Sequence, residues 1–165
     1  MRRLRAAAGS LLFLALAPGV VAGFVPWLLT GWQSAGAPAW LRTVGWIALA
    51  GGAAVLLEAF ARFVVEGIGT PAPAAPTERL VVGGLYRYVR NPMYLAVAAV
   101  ILGQAAVLGQ WLLVGYALVF GAIVWSFVHW YEEPTLRRQF GPQYEHYLRT
   151  VPGWWPRRPR RPPTA

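Results

Sequence analysis

The sequence predicts an all-α, polytopic membrane protein with about four transmembrane helices, the last two paired as a C-terminal helical hairpin. Three observations carry that reading. Of 165 residues, 57% are hydrophobic and only 13% charged, about half the charge of an ordinary soluble domain at ~25%. Residues 6–41 and 91–131 contain no charge at all. Finally, all but one of the 15 basic residues fall on the same side of the implied spans.

Taken in order, the first uncharged stretch would reach about 54 Å as one helix, well beyond the ~30 Å hydrocarbon core. It therefore holds a single span, near Gly9–Leu29, and then a turn-rich loop from Gln33 to Pro38 between Trp32 and Trp40, residues suited to the interface. The second span runs from about Val44 to Val65, and its small-residue centre, residues 50–54, permits close helix approach. Glu58 and Arg62 share a face at i, i+4 near its end, where a structural ion pair is expected. Three prolines, Pro71, Pro73 and Pro76, deny helix to the linker that follows. Residues 91–131 are again too long for one span, and Gly109-Gln110 divides them into helices near Tyr94–Leu108 and Trp111–Tyr131.

With four spans both termini and the long central loop share a side, and Arg42 alone lies opposite. The positive-inside rule then makes the N- and C-termini cytoplasmic. A net charge of +9 is thus an orientation signal, and no nucleic-acid partner is expected. The absence of Cys and the presence of only two His exclude disulfides, thiolate sites and a multi-His metal centre. All carboxylate chemistry must come from six Glu, because the chain has no Asp.

The functional groups concentrate at Glu78–Tyr94 and His129–Tyr147. A hairpin of the last two helices brings Arg87, Arg90, Asn91 and Tyr94 beside His129, Glu132 and Glu133. Arginine forks onto carboxylates, tyrosine stacks on a purine or faces a cation, and glutamate accepts from hydroxyls or ammonium. That set suits a small aromatic molecule of mixed charge, such as S-adenosylmethionine.

Two runs then resemble a known family. Gly69-Thr70-Pro71-Ala72-Pro73 and the stretch from Leu80 through Gly84-Leu85-Tyr86-Arg87-Tyr88-Val89-Arg90-Asn91-Pro92-Met93-Tyr94 form the first. Glu132-Glu133-Pro134, Phe140-Gly141 with Tyr144 and Tyr147, and Val151-Pro152 with Pro156 form the second. In order and spacing they are similar to the isoprenylcysteine carboxyl methyltransferase and phospholipid methyltransferase superfamily, over about residues 69–156. The resemblance implies a bacterial inner-membrane methyltransferase that uses S-adenosylmethionine, with the C-terminal hairpin forming the cofactor site. Carried over by position, cofactor contacts are expected at Arg79, Leu80, Val81, Tyr86, Arg90, Asn91, Pro92, Met93, Tyr94, Glu132 and Glu133. No metal site is implied. Asn91 stands where eukaryotic carboxyl methyltransferases have His, and Ala96 replaces a frequent Gly. Where the isoprenylcysteine enzymes carry an Arg just before the paired Glu, this chain has Phe127, Val128 and His129, which argues against a prenylcysteine carboxylate acceptor.

The expected organisation is a two-span region at 1–66, the cofactor-binding region at 67–156 and a disordered Arg/Pro tail at 157–165. The acceptor is a lipophilic or membrane-delivered carboxylate, amine headgroup or thiol, reached at the cytoplasmic face and from the bilayer. An amine would need a base, for which His129 and Glu133 are the candidates. Two other classes remain open at this point: an NADPH-dependent membrane reductase of the sterol or steroid type, and a non-enzymatic protein retaining the scaffold.

Overall fold

The computed structural model describes residue 12 and residues 16–67 and 79–157. The expected Pro-rich linker with the Gly69–Pro73 motif, the N-terminal arginines and residues 158–165 of the tail lie outside the described residues. Those described contain helices and no strand.

A π-helical turn at Val20–Phe24 leads into α1, Val25–Thr30, which ends on Gly31 in the left-handed region. After the non-helical stretch 33–38 comes α2, Ala39–Arg62, extended by a second π-helical turn at Phe63–Gly67. A 3-10 turn, Gly84–Arg87, precedes α3, Pro92–Leu108. Proline at the first helical position suits α3, since its missing N–H would have had no partner there. Gly109, at φ +69°, closes α3 and makes the expected turn. Then α4, Trp111–Phe127, continues through a π-helical turn at Val128–Glu132 into α5, Glu133–Phe140, and Gly141 breaks the chain before α6, Pro142–Thr150.

Among the described residues two helical stretches are long and apolar enough to cross a membrane: Ala39–Arg62 and the continuous run Trp111–Phe140. Val20–Thr30 and Pro92–Leu108 are apolar but shorter. Large apolar side chains such as Trp46 and Ile47 on the first long helix and Leu118 and Ile123 on the second point outward. That surface matches lipid rather than water.

The closest packing joins α2 to α3. A Cβ placed on Gly45 would lie 2.8 Å from the Gly103 carbonyl oxygen, and one on Gly52 would lie 2.9 Å from that of Ala96. Small residues let the backbones meet, which is how helices associate where lipid competes for apolar side chains. Of the small-residue centre expected from sequence, Gly52 makes this contact, whereas Gly51 faces open space.

Both π-helical turns in the apolar layers precede a proline. Pro26 has no N–H to offer the Ala22 carbonyl four residues back, and Pro134 likewise leaves Trp130 without its usual donor. In the first case the Val25 N–H bonds to Val20, so Val21 also loses its partner. Side chains of the hairpin replace both: Gln104 Nε2 donates to the Ala22 oxygen at 2.6 Å, and the Tyr116 hydroxyl to the Val21 oxygen at 2.8 Å. Unpaired carbonyls are costly in a bilayer, so these two bonds fix the first helix against α3 and α4.

Candidate active site

A cavity of about 520 Å³ lies between the motif residues of the hairpin and the first helix. Its volume falls within the range of small-molecule sites. Of the residues expected at a cofactor site, Leu80, Val81, Tyr86, Arg90, Asn91, Met93, Tyr94, Glu132 and Glu133 line it. Arg79 is exposed and lies outside the lining, and Pro92 is buried behind it as the first residue of α3. His129 also lies outside the lining. The π-helical turn carries its ring outward, where it stacks on Trp125 at a centroid distance of 5.4 Å.

The two adjacent glutamates have different surroundings. Glu133 Oε1 accepts from Arg90 Nη1 at 2.9 Å, with both side chains largely buried (15% and 16% exposed). Glu132 Oε2 accepts from the Tyr94 hydroxyl at 2.9 Å, and among the described residues no arginine pairs with it. One carboxylate is therefore neutralised, while its neighbour meets the cavity with only a phenol. The Arg90 Nε is buried without a hydrogen-bond partner, leaving an unused donor on a cavity-lining guanidinium.

The motif that precedes α3 is held from three directions. On one side, Arg62 bridges Glu58 and Glu66 at 2.8 Å each, and Glu66 Oε2 accepts from the Gly83 N–H at 2.9 Å. Glu58 and Arg62 thus pair as the sequence suggested. The part played by Glu66 could not be read from spacing, because its backbone partner is seventeen residues away. Gly84 adopts φ +53° against Glu58 and Arg62, with no room for a Cβ. On the second side, the Tyr147 hydroxyl donates to the Tyr86 carbonyl at 2.7 Å, and Tyr86 packs with Ala59, Phe60 and Met93.

A C-terminal strap supplies the third side. The Arg90 N–H donates to the Pro152 oxygen at 2.9 Å and Asn91 Nδ2 to the Gly153 oxygen at 3.1 Å, while Trp154 approaches the Tyr94 ring. Asn91, a buried polar side chain, is thereby spent on fixing the backbone ahead of α3. Beneath the strap, Tyr144 is pushed up to about 12, first by burial and then by the Glu133 charge, with Arg90 opposing. Burial likewise raises Tyr147 and Tyr86 well above the ordinary phenol value. All three stay neutral at physiological pH.

The cavity changes character along its length. Arg90, Asn91, Tyr94, Glu132, Glu133 and Tyr144 gather at one end, and Ala17, Pro18, Val21, Val97 and Phe120 form the other. Sequence reading missed the apolar end, since Ala17 to Val21 carry no signal beyond hydrophobicity.

Described residues that are helical and without strands, two helices long and apolar enough to span, and a two-ended cavity suit an integral membrane protein built around a small-molecule site. Comparison with family models matches residues 40–143 to phospholipid methyltransferase, and the chain belongs to that family. It is by family a membrane methyltransferase. The match begins within α2, upstream of the motif-bearing stretch, and ends before the strap. No curated protein and no solved structure matches the chain.

Proposed function

We propose that the chain transfers a methyl group from S-adenosylmethionine to a lipophilic acceptor at the cytoplasmic face of a bacterial inner membrane, with both termini cytoplasmic. The observation that carries this reading is the unneutralised Glu132 beside the paired Glu133 in the cavity wall. A carboxylate so placed seeks a cationic or hydroxylated ligand, and the Arg90 guanidinium in the same wall suits an anionic one. An amino-acid nucleoside carries both.

The residues present fit that molecule. Glu132 would take its ammonium or ribose hydroxyls and Arg90 its carboxylate. Tyr86, Met93 and Tyr94 would hold the aromatic part, against Leu80 and Val81. Asn91 and Pro92 act one step back by setting the start of α3, and Arg79 has no place in the cavity wall. A bound S-adenosylmethionine supplies an electrophilic methyl on a sulfonium. The protein's own work is therefore alignment and exclusion of water. Tyr94 orients Glu132 through its hydroxyl, and Arg90 pairs with Glu133 and holds it away from the ligand's cation. A carboxylate or thiolate acceptor needs no base. For an amine, Glu133 lies at the cavity wall, whereas His129 faces away from it.

The experiment is incubation of native membranes containing the chain with methyl-labelled S-adenosylmethionine, followed by extraction and identification of labelled molecules. Label in a lipophilic fraction, absent with the Glu132→Ala variant, is expected. No label above membranes lacking the chain would overturn the proposal.

A further inference from the structure

We infer that the apolar end of the cavity is an arm that receives one alkyl chain of the acceptor, and that the first helix sets the length of chain it takes. The inference rests on the methyltransferase reading and assigns the acceptor subsite within it.

Three observations meet here. Phe120 lies twelve residues before Glu132 on one continuous helix, so the cavity extends about 18 Å from its carboxylates into the apolar layer. Over that depth the wall, from Phe127 past Val97 to Phe120, is apolar. A polar nucleoside gains nothing from such an arm, whereas an alkyl chain gains with every methylene. The arm also has an end. Val21 lines it, and the Val21 carbonyl is the one that Tyr116, a helical turn beyond Phe120, takes up at 2.8 Å. The Val25 N–H, turned to Val20, leaves that carbonyl free, and Gln104 secures the neighbouring Ala22 carbonyl, freed by Pro26, at 2.6 Å. The first helix is thus bonded in place where the arm stops. Ala17, Pro18 and Val21 all precede residue 40, where the family match begins, so this wall lies outside the shared region and suits a specificity element.

The test uses the full chain in detergent with labelled S-adenosylmethionine and three acceptor series: phosphatidylethanolamines, fatty acids and alkyl thiols, each with chains of eight, twelve and sixteen carbons. S-adenosylhomocysteine affinity is measured in parallel. Val21→Trp is expected to lower kcat/KM for the sixteen-carbon member of the active series about tenfold or more, the effect of excluding two or so methylenes. The eight-carbon member should change less than about twofold, and S-adenosylhomocysteine affinity should stay the same. Phe120→Ala, which opens the arm, should shift preference toward longer chains. Retained nucleoside affinity with an unchanged chain-length profile in both variants would overturn the inference alone. Wild-type protein that neither binds S-adenosylhomocysteine nor labels any series would overturn the methyltransferase reading and the inference with it. If Val21→Trp loses nucleoside affinity, Phe120→Ala decides: an unshifted profile counts against the arm.

Discussion

The Tyr94 hydroxyl donates to Glu132 Oε2 at 2.9 Å, joining the first turn of α3 to the far end of α4. Thirty-eight residues separate the pair in sequence, and the hairpin turn at Gly109 is what closes the distance. One turn along, Arg90 and Glu133 repeat the connection as an ion pair. The cavity's polar end is therefore built by two parallel ties between the same two helix ends.

Breaking the second tie from one side should be costly. Arg90→Met leaves Glu133 largely buried and without its cation, and the expected loss is about 3–5 kcal/mol of stability. Arg90→Met with Glu133→Gln removes both charges and should recover much of that. Thermal unfolding of the detergent-solubilised variants measures both. If the double variant is as unstable as Arg90→Met alone, the ion pair does not account for the loss.

The small residues on α2 are expected to behave unequally. Gly52→Leu must displace the Ala96 carbonyl and Val100, which already crowd the position, and overpacking of that kind costs about 1–3 kcal/mol. Gly51→Ala meets open space and should stay within about 0.5 kcal/mol of wild type. A difference scan of the two variants in one detergent checks the contrast, and equal effects would contradict the packing described for α2 and α3.

Much of this was legible in the sequence. The uncharged stretches marked the apolar helices, Gly109-Gln110 marked their turn, and the Arg90–Tyr94 and Glu132-Glu133 motifs marked two sides of one cavity. The number of spans was less so. Among the described residues only Ala39–Arg62 and Trp111–Phe140 have the length to cross unaided, and Pro92–Leu108 is cut short by the same proline and glycine that shape the site. His129 could not be placed from a regular helical repeat, because the π-helical turn before Pro134 shifts the facing of every side chain within it. Glu66 acts on the Gly83 backbone, and the strap, whose Val151-Pro152 and Pro156 belong to the resemblance, acts through the Pro152 and Gly153 carbonyls, so residue spacing does not reveal either contact.

Gly84 tests the support from the first side of the motif. Any Cβ there meets Glu58 and Arg62 in a left-handed conformation, so Gly84→Ala should cost about 1–3 kcal/mol and weaken ligand binding by loosening Tyr86. Gly153→Ala brings a Cβ to 3.1 Å from Arg90 Nη2, a milder contact, and should do less. Unfolding midpoints compared with nucleoside affinity would register both, and a fully stable Gly84→Ala would refute the account of that turn.

The buried phenols predict an alkaline limit. Tyr144 rises to about 12 in the folded protein, against about 10 for the unfolded chain. A raised folded value stabilises fully below the unfolded one, and that contribution fades as pH climbs from about 10 toward 12. Stability should therefore fall over that window, less steeply in Tyr144→Phe. Tyrosinate absorbance should lag an unfolded control, and an alkaline titration coincident with that control would count against the buried cluster.

The most direct measurement is calorimetric titration of the purified full chain with S-adenosylhomocysteine, with NADPH run alongside, for wild type, Glu132→Gln and Glu132→Ala. The account predicts saturable nucleoside binding to wild type, a loss of about tenfold or more in both variants, and no NADPH heat. Unaltered affinity in Glu132→Ala, or binding of NADPH in place of the nucleoside, would contradict it.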